Sequence, residues 1–374
     1  MKIGIEARNI LQPIKRGMDY VALEVIKHLQ KMDITNEYYI FVRPGRDRCL
    51  SDSMHVHIIE VNCPTDILWM QYALPKVAKK MGVDILHCTQ DDAPLFCSIP
   101  IILTLHDILF MEEEKDDSWS IKQKIKWYYK RYVTQRVVGK CQKVLTVSHY
   151  EYNNIQNYFH LGDRMGMIYN GYSEWFKPTE DKIEEIYRRY IPEKGYLFFM
   201  GSCKEEKNVS NTLIAYSKYL KRSKVKRQLI VSNFSQSDLE DIIEKHNIDN
   251  IKEYVVTPGY IVERDLPYIF SGAFAFLYTS LYESFGTPLL ESMACGTPVI
   301  TSNTASMPEI AGSDAILIDP HNPDAIVDAI INLEENEDAY KYQVQYGLER
   351  SKPFTWDNTA SELLDLYREV VKKL

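Results

Sequence analysis

Glu283 and Glu291 are separated by seven residues, Ser284-Phe285-Gly286-Thr287-Pro288-Leu289-Leu290. A helix is predicted to begin near Thr287-Pro288, because threonine suits an N-cap and proline suits the first turn, where its missing N–H costs nothing. The backbone amides of Phe285 to Leu289 would then point at an anion, as happens when a phosphate group meets a helix N-terminus. Carboxylates accept hydrogen bonds from paired sugar hydroxyls and are poor partners for phosphate. A sugar–diphosphate–ribose ligand would use both acids, with its sugar near Glu283 and its ribose near Glu291. By spacing alone, the same pair fits equally a loop charge and a helix-start acid favoured by the dipole.

The first half of the chain carries a second, sparser set. Gly17 opens a helix after the loop from Arg8 to Arg16, at the end of the first strand, the ligand edge of an open parallel sheet. Asp91-Asp92 follows the strand predicted over 83–88 and fits a turn as well as a site. Thr104-Leu105-His106-Asp107 ends another strand, and the ring nitrogens of His106 could hydrogen-bond a sugar hydroxyl. Thr146-Val147-Ser148 ends a third strand, where N-capping explains the serine equally well.

These residues must be held by something, and the pattern of apolar runs says what. Strands are predicted at 2–7, 38–42, 56–61, 83–88, 100–105 and 143–147, with helical segments near 18–32, 65–81, 119–141 and 149–160. The rhythm repeats with strands near 196–200, 227–232, 252–257, 273–278, 298–301 and 315–318. The helices between and after them are expected near 208–222, 236–246, 263–271, 287–294 and 323–334. Strand–helix alternation with Val/Ile/Leu-rich strands indicates α/β architecture with parallel sheets covered on both faces. Two such series predict two Rossmann-like domains facing each other. The boundary is expected after Ile168-Tyr169-Asn170-Gly171, giving domains of 1–172 and 173–356, with the final helix near 357–374 crossing back to the first.

Composition narrows the function classes. A net charge of −8 on 374 residues argues against a general nucleic-acid binder. The seven cysteines are scattered without a zinc-like cluster or a disulfide framework, which fits reduced thiols in a cytosolic enzyme. Met1-Lys2-Ile3-Gly4-Ile5-Glu6 reads as a first strand and not as a signal peptide, and no apolar run is long enough to span a bilayer, so a cytoplasmic location is expected. Region 119–143 interleaves eight lysines and arginines with five aromatic residues. It fits either peripheral contact with the cytoplasmic face of an inner membrane or a solvated helix packing its aromatics inward, its charge balanced by the acidic run Glu112-Glu113-Glu114 just before it. A nicotinamide dehydrogenase is disfavoured, because no Gly-x-Gly-x-x-Gly follows an early strand.

The run from Glu283 through Glu291 to Ala294-Cys295-Gly296-Thr297-Pro298-Val299 closely resembles the Glu-x7-Glu motif of the family-4 retaining glycosyltransferases, which have the GT-B fold. Met307-Pro308-Glu309-Ile310-Ala311-Gly312 and Leu317-Ile318-Asp319-Pro320 continue the match in the family's order. Ser284 stands where the family usually has glycine, a change that a negative φ would tolerate.

The resemblance implies a nucleotide-sugar donor, such as a UDP- or GDP-sugar, and a saccharide or lipid-linked acceptor. It places Glu283 at the donor sugar, Glu291 at the ribose, and Ser284, Phe285, Gly286, Thr287 and Leu289 around the diphosphate, with Gly17 on the opposite side. Lys207 matches the family lysine that faces the diphosphate. The residue before it is commonly arginine and here is Glu206, leaving Lys204 as the candidate second cation. Tyr260-Ile261 occupies the base-binding turn, although core packing explains it equally. His106 would lie across from the donor as a catalytic residue beside Glu283 and Lys207. No Asp-x-Asp of the metal-dependent kind is present, so no metal cofactor is expected. Rival readings are a GT-B protein that binds nucleotide or glycan without turnover, and a sugar-nucleotide epimerase on a similar scaffold.

Overall fold

Two parallel sheets organise the chain in a computed structural model that describes residues 1–112, 120–179, 183–190 and 193–373. Glu113, Glu114 and Trp119, from the acidic run and the basic segment discussed above, lie outside the described residues. Contacts divide the chain into one unit of Met1–Gly171 with Trp356–Leu374, and a second of Tyr172–Thr355.

The first unit holds strands β1 (Lys2–Glu6), β2 (Glu37–Val42), β3 (Val56–Glu60), β4 (Ile85–Cys88), β5 (Ile101–Thr104), β6 (Lys143–Thr146) and β7 (Met165–Met167). They run in the order β3-β2-β1-β4-β5-β6-β7, and every pairing is parallel. Helix α1 (Gly17–Met32) follows β1, and α2 (Ile121–Val137) leads towards β6. One face of the sheet packs on Trp69, Leu74, Val133 and Val137. The other packs on Leu23 and Ile26 of α1, and there the last helix of the chain contributes Trp356, Leu363 and Tyr367. The Tyr367 hydroxyl also lies 2.7 Å from His87 Nδ1 inside the unit.

The second unit holds β8 (Tyr196–Met200), β9 (Leu229–Ser232), β10 (Val255–Gly259), β11 (Ala273–Tyr278), β12 (Val299–Ser302) and β13 (Ile316–Ile318), in the order β10-β9-β8-β11-β12-β13. Its ladders are parallel throughout. The central strand β11, Ala-Phe-Ala-Phe-Leu-Tyr, is buried along nearly its whole length, as a strand covered on both faces must be. Helix α3 (Thr287–Ala294) follows β11, and α4 (Trp356–Lys372) ends the chain.

Short helices at Leu109–Glu112 and Met307–Ala311 add to the predicted elements, and three larger departures have a physical reason. Strand β7 is only three residues long, too short to show a period, and exists by pairing with β6. The predicted helix over 65–81 is interrupted by a π-turn at Trp69–Ala73. A helix at Glu337–Ser351 has no counterpart among the predicted elements; its polar surface carries a weak apolar stripe, and it packs on α3.

In each sheet the strand order reverses once, between β1 and β4 and between β8 and β11. Such a switch point opens a crevice at the carboxyl ends of the strands, where loops diverge to either side.

Candidate active site

In the second unit, the loops leaving β8 and β11 flank the switch point. Leu281 donates its amide to the Glu206 carbonyl at 2.8 Å, tying the two loops together. Asn208, at φ +57°, donates its side-chain amide to the Thr279 and Pro320 carbonyls at 2.9 and 2.8 Å. Across this junction Lys207 Nζ reaches Glu283 Oε1 at 2.6 Å, and Ser280 Oγ donates to the same oxygen at 2.7 Å. Ser306 fastens the loop from behind, donating to the Glu283 and Phe285 carbonyls at 2.7 and 3.1 Å.

The helix start differs in detail from the expectation. Gly286, at φ +93°, is the N-cap, and Thr287 is the first helical residue. Only glycine enters this left-handed turn without cost, and a Cβ there would sit 3.2 Å from Tyr278 Cε1. The Leu289 amide is not available to an anion, because it closes the first turn on the Gly286 carbonyl at 3.0 Å. Helix geometry leaves the amides of Gly286 and Thr287 without an intrahelical acceptor. The Phe285 and Leu289 side chains are buried in the unit, so Phe285 could meet a ligand only through its backbone, and Leu289, whose amide is already used, offers it no donor. Ser284 lies outside the left-handed region, which satisfies the condition for replacing glycine.

Thr287 and Glu291 are four residues apart on α3 and therefore share a face. Burial pushes the Glu291 carboxyl up to about 8, and the nearby Glu263 adds to the shift. Glu263 begins the turn that follows Tyr260-Ile261. Tyr260 is 68% exposed and Ile261 only 4%, so core packing accounts for the isoleucine and not for the tyrosine. Burial also raises the Tyr278 phenol well above its ordinary range, with the Glu283 carboxylate beside it adding to the effect, so Tyr278 stays neutral.

Lys204 does not join Lys207. Its ammonium is 2.8 Å from Glu206 Oε1, and its side chain is largely in solvent. The glutamate that stands in place of the family's usual arginine thus takes up the charge of the alternative lysine.

In the first unit, the loops after β1, β4 and β5 gather buried charges that sequence reasoning largely missed. Arg8 donates to Glu6 Oε1 at 2.8 Å and to Asp92, and its guanidinium lies over the Trp69 ring. Burial pushes the Glu6 carboxyl up, while Arg8 opposes the shift. Asp91, at φ +60°, accepts the His106 amide at 2.7 Å and Lys130 Nζ at 3.2 Å. The pair Asp91-Asp92 is therefore more than a turn. His106 is buried with Nε2 3.1 Å from the Thr89 carbonyl, and it lines a cavity of about 40 Å³ with His87, Thr104 and Asn170. Gly17 opens α1 on an exposed surface where an added Cβ would touch nothing. Ser148 caps the helix after β6, accepting the Glu151 amide at 3.2 Å. Glu6, Arg8 and Lys130 carried no motif; the only signal for the first two was charge inside or next to an otherwise apolar strand.

Among the described residues no group of three His, Cys, Asp or Glu side chains is arranged to hold a metal ion, and no helix is long and apolar enough to cross a membrane.

The family model for Glycosyltransferase Family 4 matches residues 15–174, and that for Glycosyl transferases group 1 matches residues 182–350. The O-antigen chain mannosyltransferase B of Escherichia coli is 27% identical over 231 residues, 60% of this chain and 60% of that protein. The chain thus aligns with about three-fifths of that relative's length. The sucrose-phosphate synthase of Thermosynechococcus elongatus superposes over 100% of both chains with a TM-score of 0.77 at 16% identity. Anabaena HepE, solved in complex with UDP and glucose, gives a TM-score of 0.70 at 13% identity over 98% of this chain and 99% of its own.

Proposed function

This chain belongs to the family-4 glycosyltransferases of GT-B fold, and from that premise we propose that it moves a hexosyl group from a nucleoside diphosphate sugar to a saccharide or lipid-linked acceptor. The proposal includes retention of anomeric configuration and no requirement for a metal ion. The observation that carries it is the meeting of Lys207 and Glu283 at the β8/β11 switch point, beside the amides of Gly286 and Thr287.

In this reading the diphosphate rests on those amides and on Lys207. An ammonium has three N–H donors, so Lys207 can face a phosphate oxygen while one donor stays on Glu283. Glu283 accepts from hydroxyls of the donor sugar, Glu291 from the ribose, and Tyr260 offers its exposed ring to the base. The bond from the anomeric carbon to the diphosphate oxygen breaks as the acceptor hydroxyl arrives on the same face. The hydroxyl proton passes to the departing phosphate, and the nucleoside diphosphate leaves. Preorganised donors aimed at the growing phosphate charge supply the stabilisation that a divalent cation gives in other transferases. His106 and the charged loops of the first unit act on the acceptor side.

The E. coli relative is named a mannosyltransferase, and the HepE neighbour holds UDP and glucose, so the donor is proposed at the level of a hexose. The test is incubation with GDP-mannose, UDP-glucose and ADP-glucose, with nucleoside diphosphate release and product anomer read by NMR. An inverted product or strict dependence on added metal would overturn the mechanism. The pairing of Lys204 with Glu206 favours one other reading, a protein that binds nucleotide without turning it over. Tight nucleotide binding with no donor cleavage under any acceptor would select it.

A further inference from the structure

Helix α2 is apolar on two faces. Val133 and Val137 are buried in the core of the first unit. On the other side Ile121, Ile125, Tyr128 and Tyr132 are 79, 55, 53 and 52% exposed. Their spacing of four, three and four residues puts them in a single stripe along the helix. A stripe of this kind on the outside of a folded unit is uncommon and marks a surface that meets something.

The charge around the stripe says what. Residues 121–140 contain seven lysines and arginines and no aspartate or glutamate, in a chain whose net charge is −8. Lys122, Lys126, Arg136 and Lys140 are exposed. The Arg136 guanidinium lies 3.6 Å from the centre of the Tyr132 ring, so cation and aromatic share the same patch. At the end of the helix Lys140 lies 5.3 Å from the ring centre of Phe96, which is 84% exposed on a neighbouring loop. A second copy of this chain offering the same face would set like charges against one another, which costs free energy. An anionic lipid surface instead satisfies both features: apolar side chains enter the headgroup boundary, and lysines and arginines meet the phosphates.

We infer that the α2 stripe, with Phe96, docks the first unit on a membrane containing anionic lipid. This inference does not rest on the proposed donor or mechanism. The experiment is sedimentation of the full chain with vesicles of phosphatidylcholine alone or of phosphatidylcholine mixed equally with phosphatidylglycerol. Expected is binding to the mixed vesicles only, weakened by salt. The exposed double variant Lys122→Glu/Lys126→Glu should bind at least about tenfold less, because each basic residue near such a surface adds to the attraction. Ile121→Ser/Ile125→Ser should bind less at all salt concentrations while keeping the wild-type melting temperature. Failure of the wild-type chain to bind mixed vesicles overturns the inference, and that arm needs no variant. So does undiminished binding by both variants, or a dimer in solution that the Ile121→Ser/Ile125→Ser change dissociates.

Discussion

Lys207 Nζ sits 2.6 Å from Glu283 Oε1, joining the loop after β8 to the loop after β11 where the strand order turns back on itself. Both side chains keep partial access to solvent, so the pair contributes little to folding, on the order of 1 kcal/mol. Glu283→Gln and Lys207→Ala should therefore each lower kcat by about 10²- to 10³-fold. The melting temperature should move only slightly. Unchanged turnover, or a loss of activity that simply tracks unfolding, would remove both residues from the site.

Glu291 gives the second unit a pH dependence. Its carboxyl titrates near 8 in the folded chain against an ordinary value of 4.5, so the folded state holds a proton that the unfolded chain releases. Stability from this group is complete below about pH 4.5 and declines as pH rises towards 8, by at most about 1.4 kcal/mol per pH unit. Glu291→Gln cannot titrate, so its stability relative to wild type should improve steadily from pH 5 to pH 8 in urea unfolding. A constant difference across that range would show that the carboxyl is ionised throughout.

The left-handed turn at Gly286 should tolerate no side chain. Gly286→Ala forces a Cβ into a φ of +93° and against Tyr278, at a cost of roughly 1–3 kcal/mol. Because the same turn presents the amides of Gly286 and Thr287, nucleoside diphosphate affinity measured by calorimetry should fall with it. Wild-type affinity in this variant would separate the turn from the ligand.

The buried group Glu6, Arg8 and Asp92 is a test of the first unit. Arg8→Met leaves two acids without their cation and should cost about 3–5 kcal/mol in chemical denaturation. Adding Glu6→Gln and Asp92→Asn should recover most of the loss, since the cost lies in the uncompensated charges. No recovery would mean that packing of Arg8 on Trp69 dominates.

His106 is predicted to act in turnover and not in donor binding. His106→Ala should lower transfer about 10²-fold while nucleoside diphosphate affinity measured by calorimetry stays near that of wild type. Equal losses in both would place it at the donor.

The alternation of apolar strands with helical segments was readable because both faces of each sheet are covered, which makes the strands conspicuous apolar runs. Residues 273–278 and 196–200 were legible for that reason, and they coincide with β11 and β8. β7 and the helix at Glu337–Ser351 were not, since the first depends on a neighbouring strand and the second on packing against α3. The helix start near Thr287 is legible from proline and its neighbours, yet the capping residue is Gly286 and not the threonine. Threonine propensity favoured Thr287, while the tight approach to Tyr278 required glycine in a left-handed turn one residue earlier.

The amino-acid sequence by itself determined two sheet-forming series, the spacing of Glu283 from Glu291, and the family, because periodicity and motif are local properties of the chain. Only the tertiary structure decided that Lys207 meets Glu283, that Lys204 is taken by Glu206, and that Glu6 and Arg8 close a buried cluster with Asp92. Those partners come from loops up to 84 residues apart, and which ammonium reaches which carboxylate depends on how strand order brings the loop ends together.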